Sequence, residues 1–141
     1  MKIQQLHSLF LECHSPCTDT RKIKKNDMFF ALKGDNFNGN VYAEQAINLG
    51  AKYVIIDEPD YHKNKQTILV DNVLETLQEL AAFHRTFLNV PIIALTGSNG
   101  KTTTKEILSH LLSKHYKVLK NPDSENNLLG ISNTLLKLDN N

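Results

Sequence analysis

The 141-residue sequence predicts an α/β fold in two units: a small N-terminal α/β domain over residues 1–83 and, over 84–141, the start of a P-loop-type parallel-sheet domain. Three observations carry this. Short apolar, β-branched runs alternate with longer stretches of helical periodicity, which argues for mainly parallel pairing. A Gly-Lys-Thr sequence follows one apolar run and opens an amphipathic stretch, the strand–loop–helix order of a phosphate-binding loop. Hydrophobic residues make up 40% of the chain, enough for a packed core.

The elements follow in order. Residues 3–12 predict a short helix carrying Ile3, Leu6, Leu9 and Phe10. Residues 17–27, "CTDTRKIKKND", are polar and turn-like, and "MFFALKG" (28–34) reads as a strand stopped by Gly34. The Asn-Gly pair in "DNFNGN" (35–40) signals a tight turn. Residues 41–49 predict a helix with Asn40 as N-cap and Gly50 just past its end. "KYVIID" (52–57) and "TILV" (67–70) predict buried strands joined by a polar loop. A longer helix starts near Asp71, with Val73, Leu77, Leu80, His84 and Leu88 on one face. Pro91 opens an expected strand over 91–96. Ile107, Leu108, Leu111 and Leu112 mark the helix after the phosphate-like loop, and "YKVLKN" (116–121) predicts one further strand.

Charge and composition exclude several classes. Sixteen basic and fifteen acidic side chains nearly cancel, so nothing points to nucleic acid. No apolar run reaches transmembrane length, and "MKIQQLHSLF" is too polar for a secretory signal. A soluble cytoplasmic protein is expected. Cys13 and Cys17 bracket His14, but this spacing fits no common zinc pattern, and free thiols are expected.

"TGSNGKTT" (96–103) is the most informative stretch. The usual loop is G-x-x-x-x-G-K-[ST], and Leu95 stands where its first glycine belongs; Gly97 comes two residues later. The helix leaving at Lys101 presents unpaired N–H groups and partial positive charge to an anion. Gly97 and Gly100 allow positive φ and close backbone approach. Ser98 and Asn99 complete the turn. Lys101 can reach terminal phosphate oxygens as the catalytic cation, the Thr102 hydroxyl can ligate Mg²⁺, and Thr103 adds a donor. The plain alternative is a strand–helix turn with a solvated lysine.

The shortened loop T-G-[ST]-N-G-K-[ST]-T resembles the ATP loop of the Mur ligases and the related folylpolyglutamate synthetases. "TGSNGKTTTKE" (96–106), "TDTRKIKKNDMFFALKGDNFNGN" (18–40) with "AEQAINLGA" (43–51), and "ENNLLGISNTLL" (125–136) resemble three motifs of one Mur ligase branch, in the right order. That branch adds D-alanyl-D-alanine to UDP-N-acetylmuramoyl-tripeptide. Thr20 stands where that pattern has Ser, Asn26 where it has a turn glycine, Asn40 where His is common, and Ser132 where it has proline. The resemblance implies a three-domain, ATP- and Mg²⁺-dependent ligase of peptidoglycan precursor synthesis that works through an acyl phosphate. It implies that this chain is an N-terminal fragment, inactive alone, with the UDP-substrate domain over 1–83 and part of the ATP domain over 84–141.

It also assigns substrate-site residues. Thr20 and Arg21 are expected near the substrate, or else Asp19 caps a turn and Arg21 is solvated. Phe37, Asn38 and Gly39 are expected at the rim of the uridine pocket, or else form a plain turn. Asn126 and Asn127 are expected near the sugar-phosphate and nucleotide, or else are helix-capping or turn residues. His84 is read as a packed histidine of the apolar stripe. Two rival functions stay open: another ligase of the family or a folylpolyglutamate-synthetase-like one, and a non-catalytic nucleotide-binding module.

Overall fold

The computed structural model of the chain describes residues 1–122 and 127–139. Its elements run α1 (Ile3–Leu11), β1 (Pro16–Cys17), β2 (Met28–Phe30), β3 (Lys33–Gly34), β4 (Phe37–Asn38), α2 (Ala43–Asn48), β5 (Tyr53–Ile56), β6 (Thr67–Leu69), α3 (Val73–Leu88), α4 (Lys101–Leu112) and α5 (Leu128–Leu135). Four strands form a parallel sheet in the order β1-β2-β5-β6. β3 and β4 form a separate antiparallel hairpin over Asp35 and Asn36. The α/β class and parallel pairing expected from the sequence are what the chain forms.

Strand alternation divides the core. Met28, Phe30 and Ile55 point to the face covered by α1 and α3, where Leu6, Phe10, Leu77 and Leu80 meet them. Phe29, Ala31, Val54 and Ile56 point to the other face, covered by Ala43 and Ala46 of α2. Three ends are fixed locally. The Asn72 side chain accepts the Glu75 N–H to start α3, Asn89 ends α3 in the left-handed conformation, and Gly50 follows α2 at φ 107°.

Periodicity does not predict α5, but the capping alternative for Asn127 is realised there. Asn127 starts it, accepting the Gly130 N–H at 2.8 Å, and α5 packs against α3. Leu136, just past its end, is 3% exposed and joins the core of Leu6, Phe10, Leu77 and Leu80. A buried hydrogen-bond chain reinforces this docking. His7 of α1 meets His84 of α3 at 2.9 Å, and His84 Nε2 meets the Leu138 carbonyl at 3.0 Å. α3 is continuous through residue 84.

Three sequence expectations need correction. Residues 91–96 and 116–121 form no strand, because an apolar run supplies side chains but not a neighbouring ladder, and among the described residues none pairs with them. Asn40 caps nothing: Tyr42 holds the N-cap position of α2, and Asn38 caps the 3₁₀ turn Gly39–Tyr42 that leads into it. The strand from Met28 stops at Phe30, since Lys33 and Gly34 turn into the hairpin. The turn signalled by Asn38-Gly39 forms as the capped 3₁₀ turn Gly39–Tyr42. Gly39 starts it at a close approach, where an added Cβ would sit 2.5 Å from the Leu32 carbonyl oxygen.

Candidate functional site

Because β1, β2, β5 and β6 run parallel, the segments that follow them leave at one edge, where open α/β sheets place their ligands. Thr20 and Arg21 lie there after β1, and Phe37, Asn38 and Gly39 lie there after β2. Arg21 is held by its neighbour: Nε donates to Asp19 Oδ1 at 2.9 Å and Nη2 to Oδ2 at 2.8 Å. Asp19 also accepts the Arg21 backbone N–H at 3.0 Å, and these bonds hold its carboxyl down at about 2. The turn-capping alternative for Asp19 is therefore realised. The Arg21 side chain stays exposed at the same time.

A polar clasp ties the hairpin to the end of β5. Lys33 Nζ lies 2.9 Å from Asp57 Oδ1 and 2.9 Å from Glu58 Oε1. Asn38 Nδ2 donates to both Glu58 oxygens at 3.1 Å. Asn40, fully buried, donates to Asn38 Oδ1 at 3.0 Å and to Asp57 Oδ1 at 2.8 Å, and accepts the Asp57 N–H at 3.0 Å. Asp57 Oδ2 accepts the Val73 N–H that opens α3, at 3.3 Å. Burial pushes the Asp57 carboxyl up, but the bonds from Lys33, Asn40 and Val73 outweigh it and hold it below the usual range. Bonds from Lys33 and Asn38 hold Glu58 down, and Asp57 and Glu58 together push Lys33 up. Beside the clasp, the rings of Phe37 and Tyr42 stack with centroids 5.6 Å apart at 16°.

The second candidate lies at the start of α4. Gly97 has φ 147° and Gly100, the N-cap, has φ 79°. No side chain caps this helix, so the first-turn N–H groups of Lys101, Thr102 and Thr103 face outward from an uncapped end. Lys101 Nζ turns back onto the Gly97 carbonyl, closing the loop on itself. Ser98, Asn99, Thr102 and Thr103 are exposed. Two glycines in the left-handed region, an uncapped positive helix end, a lysine at its first position and exposed threonine hydroxyls fit a polyphosphate with a divalent cation. Lys105 Nζ donates to the Asn121 carbonyl at 2.9 Å and Thr134 donates to Asn121 Oδ1 at 2.7 Å, so residue 121 joins α4 to α5.

Comparison with known proteins decides the family. Residues 12–85 match the model of the Mur ligase family, catalytic domain, and residues 95–141 match that of the Mur ligase middle domain. The chain belongs to the Mur ligase family. The UDP-N-acetylmuramoyl-tripeptide–D-alanyl-D-alanine ligase of Bacillus subtilis (strain 168) is 39% identical over 130 residues, covering 91% of this chain and 28% of that protein. A UDP-N-acetylmuramoylalanyl-D-glutamyl-2,6-diaminopimelate–D-alanyl-D-alanyl ligase from Acinetobacter baumannii superposes with TM-score 0.83 at 30% identity, covering 99% of this chain and 34% of that one. The MurF ligase from Thermotoga maritima in complex with ADP superposes with TM-score 0.79 at 30% identity, covering 90% and 29%. This Mur ligase chain thus spans about 28% of the length of the curated relative it matches.

Within this Mur ligase chain the expected residues fall into two groups. Residues 97–103 form a loop and the first residues of α4, and Thr20, Arg21 and Phe37 to Gly39 share one sheet edge. Among the described residues no hydrogen bond or ion pair joins the two groups. Asn127 is committed to capping α5, and Asn126 lies outside the described residues. Sequence reasoning missed Lys33, Asn40, Asp57 and Glu58 as a unit, because their partners lie about 20 residues apart with no periodic signal. Burial raises both thiols, Cys13 to about 11, so neither is a ready nucleophile. Among the described residues no group of three His, Cys, Asp or Glu side chains could hold a metal, and no helix is long and apolar enough to cross a membrane.

Proposed function

We propose that the chain is the first part of an ATP-dependent carboxylate–amine ligase of peptidoglycan precursor synthesis, working in the cytoplasm and adding D-alanyl-D-alanine to UDP-N-acetylmuramoyl-tripeptide. The observation that carries this is the loop 97–103 at the uncapped start of α4, in a chain of the Mur ligase family. The first unit, to about residue 83, holds the UDP end of the substrate at the C-terminal sheet edge. Residues from 84 onward begin the ATP unit. The backbone N–H groups of Gly100 to Thr103 take phosphate oxygens, with Ser98 and Asn99 shaping the turn. Lys101 leaves the Gly97 carbonyl to bond a terminal phosphate, and the Thr102 hydroxyl ligates Mg²⁺. ATP, when bound, supplies the phosphoryl group that activates the substrate carboxylate. Asn126 and Asn127 are assigned to substrate binding, for the sugar-phosphate and nucleotide. The 141 residues alone bind without turnover, since phosphoryl transfer depends on walls that position both reactants.

Calorimetry on this chain with UDP and with ATP·Mg²⁺ tests the reading. Lys101→Ala removes one charge-assisted bond and is expected to weaken ATP·Mg²⁺ on the order of 10- to 100-fold while UDP binding stays unchanged. Thr102→Ala weakens ATP·Mg²⁺ more than metal-free ATP. Equal affinity for ATP·Mg²⁺ in wild type and Lys101→Ala removes the phosphate-loop reading.

A further inference from the structure

Of the rim residues after β2, Asn38 and Gly39 are engaged within the protein. The Asn38 amide nitrogen donates to the Glu58 carboxylate, within reach of both oxygens, and its oxygen accepts from the Asn40 backbone and side chain. Gly39 sits against the Leu32 carbonyl with no room for a Cβ. Phe37 alone stands out from this rim, 52% exposed, with its ring lying nearly parallel to that of Tyr42. Such a ring is a platform on which a planar base stacks. The clasp beneath it sets two carboxylates against the single ammonium of Lys33, so a diphosphate finds no attraction there.

We propose that Asn40 is a positioning residue of the UDP site: through Asn38 and Asp57 it holds the Phe37–Tyr42 ring pair where a uracil ring stacks, and it touches no ligand itself. This rests on the UDP reading above. Asn40 is suited to the role because it is fully buried and its side chain bonds both sides of the clasp, the hairpin through Asn38 and the end of β5 through Asp57. Tyr42 leaves the same 3₁₀ turn two residues later, so movement of Asn40 moves the rings.

The test uses UDP as probe on the 141-residue chain, at a temperature where circular dichroism shows every variant folded. Asn40→Asp keeps the acceptor for the Asp57 N–H but turns a donor into a carboxylate facing Asp57 and Asn38. UDP affinity is expected to fall about tenfold near pH 8. It then recovers in part towards about pH 5.5, where the new carboxyl shares a proton with Asp57 and donates again. The charged groups around it, Lys33, Asp57 and Glu58, are all held in their charged forms, so the recovery is read as the ratio of variant to wild-type affinity at each pH, in which the titration of the UDP terminal phosphate cancels. Phe37→Ala is expected to lose about tenfold in UDP affinity with an unchanged thermal midpoint, because the ring is exposed. If Asn40→Asp does not fold, Asn38→Asp at the half-buried neighbour is judged by the same criteria. Wild-type affinity in the folded Asn40→Asp variant, or in Phe37→Ala, overturns the proposal. Absence of UDP binding in the wild-type chain itself overturns the function proposed above, and the positioning role falls with it.

Discussion

"KYVIID" and "PIIALT" are near-equivalent strings with opposite fates. In the first, Val54, Ile55 and Ile56 are fully buried and β5 is paired on both sides. In the second, Ile92, Ile93 and Leu95 are 44%, 62% and 38% exposed and the backbone joins no sheet. The helices differ less. α4 buries none of its residues and still forms, because its hydrogen bonds close within the segment. A helix carries its partners along its own chain, whereas a strand borrows them. The half of this molecule with a completed sheet therefore owes its order to packing, and the half around the phosphate loop owes it to local bonding and to the docking of α5.

The largest expected effect separates these two sources of order. Phe30→Ala empties a fully buried position facing α1 and α3, and should cost about 3–5 kcal/mol in urea unfolding. A cost below about 1 kcal/mol would show that the paired half is not held by its core. Leu136→Ala, at the junction of the halves, should cost about 2–3 kcal/mol, and amide exchange in α5 should quicken while that of β5 is kept. Unchanged exchange in α5 would move the tie to the His84–Leu138 bond. The histidine pair gives a pH-dependent version of the same comparison. Burial first, and then His84, lower the proton affinity of His7 below its ordinary value of 6.5. The unfolded chain thus takes up this proton before the folded chain does. The associated stability is complete above about pH 6.5 and is lost as pH falls through that value, by up to about 1.4 kcal/mol per unit. His7→Gln should flatten this slope in urea midpoints between about pH 8 and pH 5.5; an identical slope would place the titration elsewhere. Ile107→Ala, on the 55%-exposed side of α4, should change stability by less than about 0.5 kcal/mol. A larger loss would mean that the loop half has a core of its own.

Apolar spacing made α1, α3 and α4 legible and short apolar runs made β2, β5 and β6 legible, although α4 buries none of its apolar residues. It could not say that residues 91–96 lack a partner, since an unpaired and a paired run read alike. α5 went unread because "NNLLGISN" mixes its apolar residues with Gly130 and Ser132, both buried where α5 meets the rest of the chain. The phosphate loop was legible as a motif, since its glycines and lysine are contiguous. The clasp was not, for Asn40 and Asp57 meet only after the hairpin and β5 have folded together. His84 was rightly placed on its apolar stripe. Its partner His7 stood one position from Leu6 on a helix already expected, and two histidines on two buried faces were the available hint.

The chain of bonds through these histidines has a polarity. A peptide carbonyl can only accept, so the Leu138 oxygen requires His84 to carry its hydrogen on Nε2. That leaves His84 Nδ1 as a lone pair, and the neutral His7 must then offer its own hydrogen from Nε2. Two imidazoles that in water would each sample two tautomers are reduced to one combination, dictated by a single oxygen near the far end of the described chain. The arrival of that oxygen is thereby written into a ring of the first helix, which serves as a chemical register of whether the last segment has docked.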